Sequence, residues 1–147
     1  MPETILFAGF ALWAVAKAFA DADMWRAIYG HTALISQRVR NWHTLSLLED
    51  VGAAFAGMGY AIIALTIGLR PAALLTGGAW LLANVLFRTI YVRLMYGMWD
   101  VTAPEVNRTA AFLWLGRDRA LQLGRAGAVV YYGAQIAAGV ALTLAGA

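Results

Sequence analysis

Asn84, Arg88 and Tyr91 are spaced four and three residues apart inside an otherwise apolar stretch. At about 100° per helical residue they share a stripe about 60° wide, which Met95 and Trp99 continue. A guanidinium flanked by an amide and a phenol is a set of donors suited to an anion. Arginine grips carboxylate or phosphate through a planar fork, and tyrosine can add a hydrogen bond or a proton. Arg93 falls on another face, aligned with Tyr96 and Asp100, and reads as interfacial. A second polar set lies upstream: Arg40, His43 and Asp50 fall within about 80° of one another, beside a stripe of Arg38, Trp42, Leu45 and Glu49. The candidates for chemistry are therefore Arg88 and Tyr91, with Asp50 or Glu49 orienting the guanidinium or acting as base. Asn84, Arg40, His43 and Arg93 are the candidate ligand contacts. The plainer alternative is an inter-helix salt bridge between Arg88 and one of the two acids.

A metal centre is not expected. The two histidines, His31 and His43, would stand about 120° apart on one helix and cannot clamp a single ion along a face. The chain has no cysteine, which removes thiolate metal sites, iron–sulfur clusters and attached c-type haem. Any other haem would need a ligand from another helix or subunit. Gln135, one turn past Tyr131, is expected to make an inter-helix hydrogen bond.

These residues must be positioned by membrane-spanning helices. Hydrophobic residues make up 62% of the 147 and charged ones 13%, with mean hydropathy +0.67, so a water-soluble domain is a poor reading. Four apolar runs stand out, at about residues 4–20, 49–69, 72–96 and 124–145. Each is long enough, with its flanks, for a ~30 Å hydrocarbon core, and none alternates as a barrel strand would. The expected fold is an all-α, four-transmembrane-helix bundle forming one domain. Neither glycine nor proline occurs between Thr32 and Val51, so the second helix is expected to start near residue 32, well before the membrane.

The arginines orient this bundle. Arg26, Arg38 and Arg40 lie in or beside the first connection, and Arg88, Arg93, Arg108, Arg117, Arg119 and Arg125 in or beside the third. Only Arg70 marks the second, a ratio of nine to one. By the positive-inside rule the first and third connections are cytoplasmic and both termini face away. The membrane implied is the inner, cytoplasmic one. The first run is expected to be retained rather than cleaved as a signal peptide, because the residues before it carry no Lys or Arg. Lys17 then reaches for the cytoplasmic face, helped by Asp21.

Ala53, Gly57 and Ala61 form a small-residue seam on the second helix, and the fourth is rich in Gly and Ala. Such seams let helices approach closely and suit a homo-oligomer. In the third connection, Thr102-Ala103-Pro104-Glu105 is a helix-start signature. The following Phe112-Leu113-Trp114-Leu115, ending at Arg117 and Arg119, reads as a short surface helix. Trp25, Tyr29, Trp42 and Trp99 fit an aromatic belt. The basic pI, near 9.6, is assigned to contacts with anionic lipid rather than with nucleic acid.

Four short helices, outward termini, a long second helix that meets the membrane at an acid, and an Arg-plus-Tyr third helix together resemble the MAPEG family of membrane enzymes. Arg88 and Tyr91 match that family's Arg-x-x-His/Tyr pattern, while its following tyrosine falls at Met95, with Tyr96 one residue late. The family's second-helix Arg and Asn positions, counted back from Glu49, are Trp42 and Ser46 here. The resemblance implies Arg88 and Tyr91 as contacts to a glutathione-like thiol.

The function expected is that of a small inner-membrane protein whose cytoplasm-facing pocket takes an anionic or amphiphilic ligand. Membrane-bound transferase or isomerase chemistry is one form of this, and whether the protein is an enzyme stays open. A glutathione-like thiol or a haem is the cofactor class considered. The alternative is a non-catalytic subunit or assembly factor of a larger membrane complex. A small transporter comes third, since no pair of broken helices is evident.

Overall fold

The computed structural model describes the backbone of residues 1–29, 35–102 and 124–147, and the side chains of residues 1–26, 41–102 and 124–147. The described chain is all-helical: α1 Pro2–Tyr29, α2 Ile35–Thr66, α3 Leu69–Tyr96 and α4 Arg125–Gly146. Each of the four contains a segment long and apolar enough to cross a membrane. The surface helix expected after Thr102 lies outside the described residues. So do His31, Arg38 and the side chain of Arg40, although the backbone at residues 38 and 40 is helical.

The element boundaries differ from the hydropathy reading in understandable ways. α1 runs past Ala20 to Tyr29, because Asp21, Asp23 and Arg26 end an apolar run without breaking a helix. α2 stops at Thr66 rather than residue 69, and Ile67-Gly68 alone joins it to α3. Gly68 takes φ 122°, a conformation open to glycine and strained for other residues. Its amide donates to Ile63 O at 3.2 Å, closing the end of α2. α3 already begins at Leu69, so Arg70 and Pro71 lie in its first turn, where proline's missing N–H has no bond to lose. At the other end Gly97 adopts the left-handed conformation (φ 74°) and returns its N–H to Arg93 O. Trp99 therefore falls beyond α3 and does not continue the Asn84–Arg88–Tyr91 stripe.

The helices pack in the order α2, α1, α3, α4, with α2 also touching α3. Glycine sets the distance between α1 and α2. A Cβ on Gly9 would lie 2.3 Å from Ala56 N, one on Gly52 2.5 Å from Trp13 N, and one on Gly59 2.5 Å from Leu6 N. Backbones that close gain dispersion contacts along the whole seam. Gly78 and Gly139 do the same between α3 and α4, where a Gly78 Cβ would meet Thr143 Oγ1 at 2.5 Å. Leu6, Ala56, Ile63, Ala72, Leu75 and Ala79 form the buried cluster where α1, α2 and α3 converge.

The expected seam of Ala53, Gly57 and Ala61 is not the one that α1 uses. All three residues are exposed, and a Cβ on Gly57 would meet nothing within 4 Å. Gly52, Ala56 and Gly59 carry the contact instead. Both faces of α2 offer small residues at helical spacing, and the spacing alone does not say which one the monomer uses.

Candidate functional site

Arg88 sits on α3 next to α4. Its Nε and Nη2 atoms are shielded from solvent, and among the described residues neither has a hydrogen-bond acceptor. Those two nitrogens form one edge of the guanidinium, the geometry that accepts a carboxylate or phosphate in a two-point grip. The guanidinium carbon lies 5.3 Å from the centre of the Tyr91 ring, within cation–π range. Tyr132, one helix away on α4, is close enough to interact with Arg88 electrostatically. Tyr91 in turn stacks on Phe87, with centroids 5.9 Å apart at 30°, and Phe87 leans on Trp13 of α1 at 6.5 Å. Aromatic packing fixes the rings around the charge, and no carboxylate among the described residues neutralises it.

The two acids placed beside Arg88 by the sequence reading go elsewhere. Glu49 forms an ion pair with Lys17 of α1 at 3.6 Å, and Lys17 also holds Asp21 at 3.4 Å. Lys17 lies 5.9 Å from the Phe87 ring centre, so this charged group and the Arg88 group flank the same aromatic stack. The reason is packing: α1 is the main neighbour of α2, and it carries a cation level with Glu49. Asp50, one residue on, points away from α1 and is exposed. The expected salt bridge between Arg88 and either acid is thus not formed among the described residues.

The remaining candidates are scattered. Asn84 donates its amide to Trp80 O of its own helix at 3.1 Å and does not meet Arg88. His43 is exposed, and its ring centre lies 4.7 Å from that of its neighbour Trp42. Arg93 is exposed, donates to Gly97 O and lies 5.3 Å from the Trp99 ring centre. It finishes α3 and stays apart from Arg88. Gln135 bonds Tyr131 Oη at 2.9 Å within α4, so the inter-helix bond expected of it is replaced by an i, i+4 one. Among the described residues, no group of three or more His, Asp or Glu side chains comes together as a metal site.

Two participants escaped the sequence reading. Gln135 is the more polar residue of α4, yet it is Tyr132 whose phenol interacts with Arg88. Lys17, expected to reach for the cytoplasmic face, is the cation that claims Glu49. Its spacing of four from Asp21 pointed to local pairing and could not reveal the α2 partner.

Comparison with known protein families, with characterised proteins and with solved structures finds no match to this chain.

Proposed function

We propose that the chain is a multi-pass protein of the cytoplasmic (inner) membrane that binds an anionic or amphiphilic ligand at Arg88. The observation that carries this reading is the guanidinium edge with no acceptor, held between Tyr91 and Tyr132. A charged group taken out of water without a counter-ion costs several kcal/mol in effective terms. Within membrane spans such residues characteristically serve a ligand, an ion path or a partner. Membrane placement rests on the four apolar helices and on their outward faces, where Phe55, Met58, Leu65, Val130 and Leu144 are exposed. In water such faces would associate, and in hydrocarbon they are at home.

The nine-to-one arginine bias puts Arg88 at the cytoplasmic end of α3 and both termini on the opposite side. The ligand's charged group would take the Nε/Nη2 edge, and Tyr91 and Tyr132 would offer hydroxyl donors to the same group. If the site is catalytic, Tyr91 is the proton donor and the bound anion is what Arg88 stabilises. A glutathione-like thiol and an acidic lipid headgroup both present the required carboxylate or phosphate.

The reading is tested by an absorbance spectrum and whole-protein mass analysis of gently extracted protein, wild type beside Arg88→Gln. A bound acidic small molecule or lipid that is retained by the wild type and lost from the variant supports the site. Equal retention by both variants, or recovery of both free of any such molecule even after incubation with acidic lipids and thiols, counts against it.

A further inference from the structure

An apolar groove of about 270 Å³ lies between α1 and α3. Phe7 and Phe10 of α1 line one side, Leu82 and Leu86 of α3 the other, and the buried Ala79 and Ala83 its bottom. Alanine methyl groups are too short to close the space between the two helices, and unfilled space forfeits dispersion contacts on both of its walls. Pockets for compact ligands hold about 300–1,000 Å³ and carry a few polar groups. This one is smaller and wholly apolar, which suits a stretch of hydrocarbon chain.

Depth decides which chain. Ala79 and Leu86 stand 11 and 18 residues after Gly68. At 1.5 Å per residue these are about 17 Å and about 27 Å along α3. A hydrocarbon core ~30 Å thick that begins near the Gly68 turn has its midplane at about 15 Å. The groove therefore lies among the acyl chains of the leaflet farther from that turn. Arg93, 25 residues after Gly68, stands at about 38 Å, beyond the core and level with the headgroups.

Charge decides which headgroup. Arg93 follows Leu86 by seven residues, so the two fall about 20° apart on α3 and the guanidinium stands in line above the groove. Arg26 and Arg125, at the same end of the bundle, have Asp23 at 3.9 Å and Asp100 at 3.5 Å. Arg93 donates from Nη1 to Gly97 O, and no carboxylate pairs with it among the described residues. The left-handed turn at Gly97 leads the chain to Trp99, whose exposed ring lies 5.3 Å from this guanidinium. An indole at headgroup depth is an interfacial anchor with an N–H to donate.

We infer that an acidic phospholipid is a resident ligand here, with one acyl chain in the α1–α3 groove and its phosphate on Arg93 beside Trp99. A zwitterionic lipid brings its own cation to compete for the phosphate, whereas an acidic one brings a net negative charge to an unpaired arginine. The site rests on the membrane reading above and is separate from Arg88, which points about 160–180° away from Leu86 and Ala79 around α3.

Delipidated protein in detergent is titrated with phosphatidylglycerol and with phosphatidylcholine, and bound lipid is counted by native mass spectrometry. Wild type should bind one phosphatidylglycerol about fivefold more tightly than phosphatidylcholine, the preference that one arginine near an anionic headgroup confers. Arg93→Gln, an exposed change, should erase that preference. Leu86→Trp, at the rim of the groove, should weaken both lipids. Equal binding of the two lipids by wild type, or an undiminished preference in Arg93→Gln, would overturn the site. So would a preference lost in Arg88→Gln and kept in Arg93→Gln, which would move the lipid to the other side of α3. Whatever Arg88 itself binds is read in the Arg93→Gln background, so either claim can fail alone. Recovery of the protein from the soluble fraction without detergent would instead overturn the membrane reading on which this site rests.

Discussion

Lys17 on α1 and Glu49 on α2 are joined by a 3.6 Å ion pair at the end of the bundle where the arginines collect. The link settles which acid is free to act. Glu49 is committed to α1, and Arg88 on the far side of the Phe87–Tyr91 stack has no carboxylate partner among the described residues. It also locks the glycine seam of α1 and α2, since Gly52 lies one turn from Glu49 on the same helix.

Removing Lys17 should therefore loosen the bundle. Its side chain and that of Glu49 are 32% and 24% exposed, neither free nor fully enclosed. Exposed pairs contribute up to about 1 kcal/mol, and breaking buried ones costs about 3–5 kcal/mol, so Lys17→Met should cost about 2 kcal/mol. The thermal midpoint in detergent micelles reads this. The double variant Lys17→Met/Glu49→Gln should recover part of the loss, because the stranded carboxylate is gone.

The seam itself predicts a contrast between two glycines. At Gly9 an added Cβ meets the backbone of Ala56 at 2.3 Å, and backbone cannot step aside as a flexible side-chain tip can. Gly9→Ala should destabilise by about 3 kcal/mol, the upper part of the range for overpacking. At Gly77 the same Cβ would rest 3.5 Å from Leu142 Cδ1, an ordinary contact. Gly77→Ala should be neutral or stabilising by up to about 1 kcal/mol through helix propensity. Unfolding curves of the two variants side by side check the difference.

The pattern of helices was legible in the sequence, and the partners of its charges were not. Continuous apolar runs and the absence of alternation already specify four helices. The Gly68 turn and the early start of α3 were missed because hydropathy treats Arg70-Pro71 as a break, whereas a helix's first turn accepts both. At the site, Arg88 and Tyr91 share a face by simple periodicity, and they do lie together. Asp50 and Glu49 differ by one residue, about 100° of rotation. Which of them meets a cation depends on which side of α2 faces α1, and that is decided by Gly52, Ala56 and Gly59 rather than by the acids. Tyr132 was invisible for the same reason: its role depends on the rotation of α4 against Gly78.

Asp100, beyond the end of α3, gives a pH signature. Its carboxyl is held below the usual carboxylate range, first by the hydrogen bonds from the Thr102 hydroxyl and amide at 2.6 and 2.8 Å, then by Arg125 at 3.5 Å. A lowered folded-state pKa stabilises at pH values above the unfolded one, about 3.9, and that contribution is lost as pH falls through the folded value. The thermal midpoint of Asp100→Asn should thus lie below wild type at neutral pH. The gap should narrow only as the solution is taken below about pH 4.

Orientation offers a prediction independent of the site. With no native cysteine, single substitutions report topology without background. A membrane-impermeant maleimide should label Ala147→Cys from outside intact cells and leave Thr102→Cys unmodified until the membrane is opened. The reverse pattern would place Arg88 at the outer face.

Whether Arg88 is a charge reserved for an anion is measured by thermal stabilisation on ligand binding. Purified wild-type protein is heated with and without a panel of acidic amphiphiles and thiols, beside Arg88→Gln. At least one anionic compound should raise the wild-type midpoint in a concentration-dependent way, by about 2.7 kcal/mol of added stability at a hundredfold excess over its Kd. The same compound should leave Arg88→Gln unmoved. An equal rise in both proteins, or no response of the wild type to any anion in the panel, would contradict it.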